Sequence, residues 1–183
     1  MTTTNNSTNT TYLILGGARS GKSSYAEKIA IESGNDVVYI ATANVQDKEM
    51  EARVEQHIND RPSHWKTIEE PIALADCLKQ QAKPNQFILV DCLTMWVNNL
   101  LMQEDDNLLQ SELIKLTDTL PSLAGNIIFV SNEVGMGIVP MGELSRKFVD
   151  ESGRLHQQLG KIVDHVLLMV AGLPMVVKGN KPF

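Results

Sequence analysis

What this sequence lacks narrows its chemistry before any motif is read. Two cysteines in 183 residues, Cys77 and Cys92, are too few for a disulfide framework or a zinc site of usual ligand count. Each reads as a small buried residue, the usage expected in a reducing compartment. No run of Lys or Arg occurs, and 16 basic residues stand against 22 acidic ones, a formal charge of −6. That balance argues against nucleic acid as the main partner, because phosphate neutralisation needs a concentrated basic surface. Long apolar runs are missing too. The most apolar late stretch, residues 165–177, is broken by Gly172 and Pro174 and falls short of the roughly 20 residues of a membrane span. Residues 1–11 are almost all Thr, Asn and Ser, with neither the basic start nor the apolar segment of a secretory signal, and read as a disordered tail. No internal repeat is present. The expectation is a soluble, cytoplasmic protein with one domain over residues 12–183, for which 43% hydrophobic residues supply one core.

Against these absences stands one informative stretch, Gly16-Gly17-Ala18-Arg19-Ser20-Gly21-Lys22-Ser23. Two glycines five positions apart followed by Lys-Ser fit the phosphate-binding loop. Gly16 and Gly21 let the backbone turn and aim several N–H groups into one concavity, where an anion completes them. Lys22 adds a point charge for the outer phosphates, Ser23 offers a hydroxyl to Mg2+, and the following helix turns its positive end toward the same spot. The context agrees: Tyr12–Leu15 reads as a buried strand and 22–33 as a helix, ended by the turn-forming Gly34-Asn35-Asp36.

Further along, Val37–Ala41 is an unbroken apolar run, the mark of a strand covered on both faces, and completes a βαβ unit. Residues 47–59 read as a helix with Met50, Val54 and Ile58 on one face. Residues 65–69 read as a short strand, and 71–81 as a helix beginning at Pro71. Phe87–Val90 is a second buried strand that places Asp91 at its carboxyl end beside the phosphate loop, where it can hold Mg2+ directly or through water, or cap the next helix. Residues 93–102 and 108–120 read as helices around a solvated acidic break at 104–106. Residues 126–131 form another buried strand, followed by a glycine-bearing loop, 132–140, on the ligand edge. That loop either binds substrate or merely turns the chain. A long helix over 142–163 follows, and 166–170 with 175–177 read as a hairpin linked by Gly172-Leu173-Pro174, adding one antiparallel edge strand. His64, His156 and His165 read as packing or surface residues. His57 differs because Arg53 lies one helical turn away and can stabilise charge on a phosphorus centre. With an ordinary pKa near ~6.5, an imidazole keeps a nucleophilic lone pair at neutral pH. From the residues alone, His57 is either a nucleophile or an ordinary exposed helix histidine.

Taken together, several segments resemble one family. They are the 16–23 loop, Tyr39-Ile40-Ala41-Thr42, Glu49-Met50 with Arg53 and His57, Arg61-Pro62 with His64-Trp65, and residues 132–140, with Phe148, Asp150, Gly153-Arg154 and Asp164 beyond. Over residues 12 to about 178 the chain is similar to the bifunctional adenosylcobinamide kinase/adenosylcobinamide-phosphate guanylyltransferases of cobalamin assembly. The resemblance implies a RecA-like P-loop NTPase fold of three layers, α/β, with a mostly parallel central sheet, assembled as a homotrimer. It implies two reactions with GTP and ATP as substrates: phosphorylation of adenosylcobinamide, then transfer of GMP through a covalent GMP-histidine intermediate. His57 matches that histidine, with Lys22 and Arg53 as its catalytic company. Ile58, Asn59, Asp60 and Arg61 match guanine-nucleotide contacts, as do Ala41, Thr42, Ala43, Glu69 and Asp91. The loop at Gly135–Gly137 is expected to form part of the corrinoid surface. Two other readings stay open on the residues: a single-activity P-loop small-molecule kinase, and a regulatory module that uses GTP as a switch.

Overall fold

Consecutive apolar residues are stable as a strand only where both faces of the strand are covered, and this chain collects such runs in the middle of one sheet. The computed structural model describes residues 9–44, 62–105 and 107–182. Its strands are β1 (Thr11–Gly16), β2 (Asp36–Ala41), β3 (Lys66–Glu69), β4 (Gln86–Asp91), β5 (Asn126–Asn132), β6 (His165–Val170) and β7 (Leu173–Lys178). They pair in the order β3-β2-β4-β5-β1-β6-β7. Every ladder is parallel except that between β6 and β7, so the expected α/β architecture with one antiparallel edge strand is what the chain adopts.

Alternation along each central strand divides the core in two. Leu13, Val38, Ile40, Ile88, Val90 and Phe129 face the helices α2 (Leu74–Gln81), α3 (Leu93–Leu101), α4 (Leu108–Thr119) and α5 (Glu143–Ile162). Ile14, Tyr39, Leu89, Ile128, Val130 and Leu167 face the other way, against Ala26, Ile29 and Ala30 of α1 (Lys22–Glu32). Burying each such side chain contributes about 1.5–3 kcal/mol. Two small alanines on α1 let that helix sit close to the sheet, which draws its N-terminus in over the strand ends. Trp96 is wholly buried on the opposite face, and its indole N–H donates to the Ile72 carbonyl at 2.8 Å, so its one polar atom is satisfied.

Three boundaries differ from the sequence reading. Helix α2 starts at Leu74 rather than Pro71, because the carbonyls that would open it are already engaged. Asn99 Nδ2 donates to Pro71 O and Trp96 Nε1 to Ile72 O, while the Glu70 carboxylate accepts the N–H groups of Ile72 and Ala73 at 3.0 and 2.7 Å. The hairpin turn is Ala171-Gly172, both at positive φ (51° and 78°), the primed geometry that suits twisted strands. Leu173 and Pro174 therefore belong to β7. The tail gives way to strand earlier than residue 12: Thr11 begins β1 and bonds Asp164 through its N–H and hydroxyl, both at 2.8 Å, and Asn9 accepts the Gly125 N–H at 2.9 Å. The helix expected over 47–59 lies outside the described residues, as do residues 1–8 and Asp106 of the acidic break.

Candidate functional site

Parallel strands all point their carboxyl ends the same way, so the loops after β1, β2, β4 and β5 share one edge of the sheet. The loop after β1 closes tightly. A Cβ on Gly16 would run into the Ser20 hydroxyl and would lie 2.9 Å from the Met169 carbonyl of β6, so only glycine fits there. Gly21, at φ +89°, opens α1 in the left-handed region. Ser20 N–H donates to Gly17 O at 3.3 Å, and the first helical bond runs from Tyr25 N–H to Gly21 O at 3.0 Å. No side chain caps this helix. Its leading N–H groups are thus left to an anion, which the dipole also favours. Gly17, Ala18 and Arg19 are exposed, whereas Ser20 is buried with its hydroxyl lacking a partner among the described residues.

Lys22 is only 9% exposed, with Nζ 3.1 Å from Gly17 O. Burial pulls its pKa below the ordinary lysine value, against the opposing pull of Asp91 and Cys92. A cation held out of water beside open N–H groups awaits negative charge. Asp91 stands half-buried at the end of β4, and Ser23 half-buried in the first turn of α1. Both side chains carry hard oxygen donors, and neither side-chain oxygen is engaged by a hydrogen bond or ion pair among the described residues. Among those residues no group of three or more His, Cys, Asp or Glu could hold a metal by itself. A hydroxyl and a carboxylate are the oxygen donors that would suit Mg2+, which is usually held by one or two protein oxygens together with substrate phosphates and water.

On the other side of β4 the register places Ala41 opposite both Asp91 and Glu69. Glu69 is exposed at the end of the outermost strand, two strand spacings or roughly 10 Å from Asp91. Thr42 is completely buried. Its hydroxyl donates to Cys92 O at 2.7 Å and accepts the Cys92 N–H at 3.0 Å, and its carbonyl accepts from Asn99 Nδ2 at 2.7 Å. Its hydroxyl thus stitches β2 to the chain after β4 and is turned inward. Ala43 is half-buried beyond it. Burial also drives the Cys92 thiol up to about 11, with Asp91 adding to the rise, so it stays protonated and inert as expected. The structure thus gathers Gly16–Ser23, Ala41–Ala43, Glu69 and Asp91 along one edge. His57, Arg53 and Ile58–Arg61 lie outside the described residues.

One contributor escaped the sequence reading. Asn99, on an apolar helix, fixes both Thr42 and Pro71; a polar residue inside the run Leu93–Leu101 was the available signal, but Asn98 beside it made the choice of face ambiguous. Of the two readings given for His156, packing or surface, the structure selects packing: its Nε2 and the Ser131 hydroxyl lie 2.7 Å apart. Burial lowers its pKa to about 4 even though nearby Glu133 acts to raise it. This pair, with Asn132 Nδ2 donating to Thr94 Oγ1 at 3.0 Å, braces the end of β5, where Glu133 N–H donates to Gly16 O at 3.0 Å.

Comparison with known proteins agrees with this geometry. A family model described as CobU, cobinamide kinase / cobinamide phosphate guanyltransferase, matches residues 12–177. The chain is 53% identical over 168 residues to the bifunctional adenosylcobalamin biosynthesis protein CobP of Pseudomonas aeruginosa, covering 92% of this chain and 97% of that one. It is 37% identical over 179 residues to the protein CobU of the same description from Escherichia coli, covering 91% and 98%. Among solved structures, it resembles an ATPase of a bacterial type III secretion system, with TM-score 0.52, 14% identity, and coverage of 87% of this chain and 50% of that one. A protein of Pyrococcus horikoshii superposes with TM-score 0.53 at 12% identity, covering 94% and 87%. These structures share the fold alone.

Proposed function

Because the chain belongs to the cobinamide kinase / cobinamide phosphate guanyltransferase family, we propose that it transfers the guanylyl group through a covalent intermediate on His57. It is an enzyme of adenosylcobalamin biosynthesis with both activities, cobinamide kinase and cobinamide-phosphate guanylyltransferase. In the kinase step, ATP or GTP gives its γ-phosphoryl group to the aminopropanol hydroxyl of adenosylcobinamide, and the hydroxyl proton leaves to solvent. In the second step the His57 imidazole attacks the α-phosphorus of GTP and the bond to pyrophosphate breaks. A phosphate oxygen of adenosylcobinamide phosphate then displaces the imidazole, giving adenosylcobinamide-GDP.

Each protein group has a task in that scheme. The uncapped N–H groups of the 16–23 loop and Lys22 take up charge on the departing pyrophosphate or on the transferring phosphoryl oxygens. Arg53, four positions before His57 in the sequence, is assigned to neutralise charge at the α-phosphorus. Ser23 and Asp91 are the oxygens that would hold Mg2+, which when bound supplies charge neutralisation on the phosphates. Ala41, Ala43, Ile58–Arg61 and Glu69 are assigned to the guanine nucleotide, whereas Thr42, expected among these contacts, is wholly buried and its hydroxyl and carbonyl are taken by Cys92 and Asn99, so it braces its neighbours instead. A homotrimer and a cytoplasmic location belong to the same reading, and no described helix is long and apolar enough to cross a membrane.

The observation that carries this reading is Lys22, a lysine 9% exposed and tied to Gly17 at the mouth of an uncapped helix. The test uses GTP labelled at the α-phosphate together with Mg2+. Wild-type protein is expected to keep the label after denaturation in an acid-labile, base-stable bond, and His57→Ala to keep none. Equal labelling of the two proteins would sink the assignment of His57. An unlabelled wild type that still phosphorylates adenosylcobinamide would sink the covalent route.

A further inference from the structure

One part of the ligand edge is neither buried nor polar. Between β5 and α5 the chain exposes Met136 (78%), Ile138 (98%), Val139 (74%) and Met141 (96%), and the first turn of α5 adds Leu144 (48%). Five large apolar side chains in nine residues form a patch of the kind that normally marks a binding surface. The stretch is also held in shape. The Glu133 carboxylate accepts the N–H groups of Gly135 and Met136 at 2.8 and 3.0 Å, and the Arg146 guanidinium donates to the carbonyls of Pro140 and Met141. Its near end is anchored to the nucleotide cradle by the Glu133 N–H on Gly16 O, 3.0 Å. Its far end opens on a concavity of about 580 Å³ along α5, lined by Glu143, Leu144, Arg146, Lys147, Asp150 and Arg154.

We propose that residues 136–144 and the adjoining α5 groove are the platform for the corrinoid acceptor. The macrocycle lies on the apolar ledge and its carboxamide fringe reaches into the groove. The proposal rests on the kinase and guanylyltransferase reading above. Both transfers require the acceptor to bring an oxygen in line with a phosphorus held at residues 16–23, so the bulk of the acceptor must rest against whatever flanks that cradle. The chemistry of the flank matches. A corrinoid offers a broad apolar ring, for which two pliable, polarizable methionines are suited, and a rim of neutral amides that both donate and accept hydrogen bonds. The groove likewise mixes carboxylates with cations rather than presenting one sign, which fits amides better than an anion. A second exposed apolar stretch among the described residues, β7, is an edge strand, whose outer backbone groups suit a further strand rather than a macrocycle.

The test compares wild type with the double variant Ile138→Ser/Met141→Ser, whose side chains are almost fully exposed, so folding is preserved. At saturating nucleotide the KM for adenosylcobinamide is expected to rise at least about tenfold, from the loss of two apolar contacts, with GTP affinity and solution mass unchanged. An unchanged KM overturns the platform. So does a change in solution mass with KM unaltered, which would make the ledge a contact between copies of the chain. Retention of adenosylcobinamide on a spin filter, read by its visible absorbance, separates the two levels of inference. If wild type retains the corrinoid but the kinase reaction fails, the functional reading falls, and the platform stands only if the double variant loses retention. If both proteins retain it equally, or neither does, the platform falls.

Discussion

At the carboxyl end of β1 the chain buries a lysine and turns backbone N–H groups outward. At the end of β5, its hydrogen-bonded neighbour, the chain folds a glutamate onto its own backbone and turns apolar side chains outward. The two loops are joined by one hydrogen bond, Glu133 N–H to Gly16 O, yet they recognise by different means. In the first loop recognition lies in backbone geometry, where the space beside Gly16 is already filled by Ser20 and Met169. In the second it lies in side chains of which Ile138 and Met141 are almost fully exposed. A phosphate needs fixed dipoles that require no reorganisation, while a large flat acceptor needs area. The first loop should therefore be intolerant of single changes and the second tolerant of them in stability.

Lys22→Met should sharpen this contrast most. It keeps the volume and removes the charge, so kcat/KM of both reactions is expected to fall by about 10²–10³. Thermal stability should stay the same or rise, because a cation destabilised by burial has been removed. A variant as active as wild type would break the comparison at its strongest point. Next comes Gly16→Val, whose branched side chain must displace the Met169 backbone. A loss of about 1–3 kcal/mol from overpacking, read by denaturant unfolding, should accompany loss of GTP binding.

The bracing of β5 gives a smaller, pH-dependent effect. The His156 pKa is lowered from 6.5 to about 4 in the folded chain. The unfolded chain therefore binds a proton that the folded chain does not between those values, and stability falls as pH drops through that window. Above about 6.5 nothing is lost, and below about 4 the loss stops growing. After allowance for the ring's partial exposure, the loss is about 2 kcal/mol. His156→Gln should flatten that part of the pH–stability curve, and an unchanged curve would remove His156 as its cause. The smallest effect belongs to the ledge: Val139→Ser should shift unfolding free energy by less than about 0.5 kcal/mol. A large loss there would mean that the loop is part of the folded core and the two loops are less different than described.

Much of this arrangement could be read along the chain. The strands β1, β2, β4 and β5 lie within two residues of their expected ends, because each is an apolar run that has no other stable place than a covered sheet. The phosphate loop was legible for a similar reason: positive φ at Gly21 and the crowding at Gly16 are demands that only glycine meets. The start of α2 was not legible, since the groups that hold residues 70–73 out of the helix include Trp96 and Asn99, some 25 residues later. Nor was the burial of Thr42, which the resemblance matched to a guanine-nucleotide contact but whose hydroxyl is satisfied by Cys92.

Local chemistry alone thus determined where the chain could bind phosphate and which segments had to be strands. Tertiary structure decided the order of strands across the sheet. It thereby decided that Glu69, Ala41 and Asp91 stand in one row, that Ser131 meets His156, and that an apolar loop sits beside the cradle. The division has one physical cause. Conformational preference and apolar periodicity act between residues a few positions apart, whereas hydrogen bonds and burial act between residues that only the closed sheet brings together.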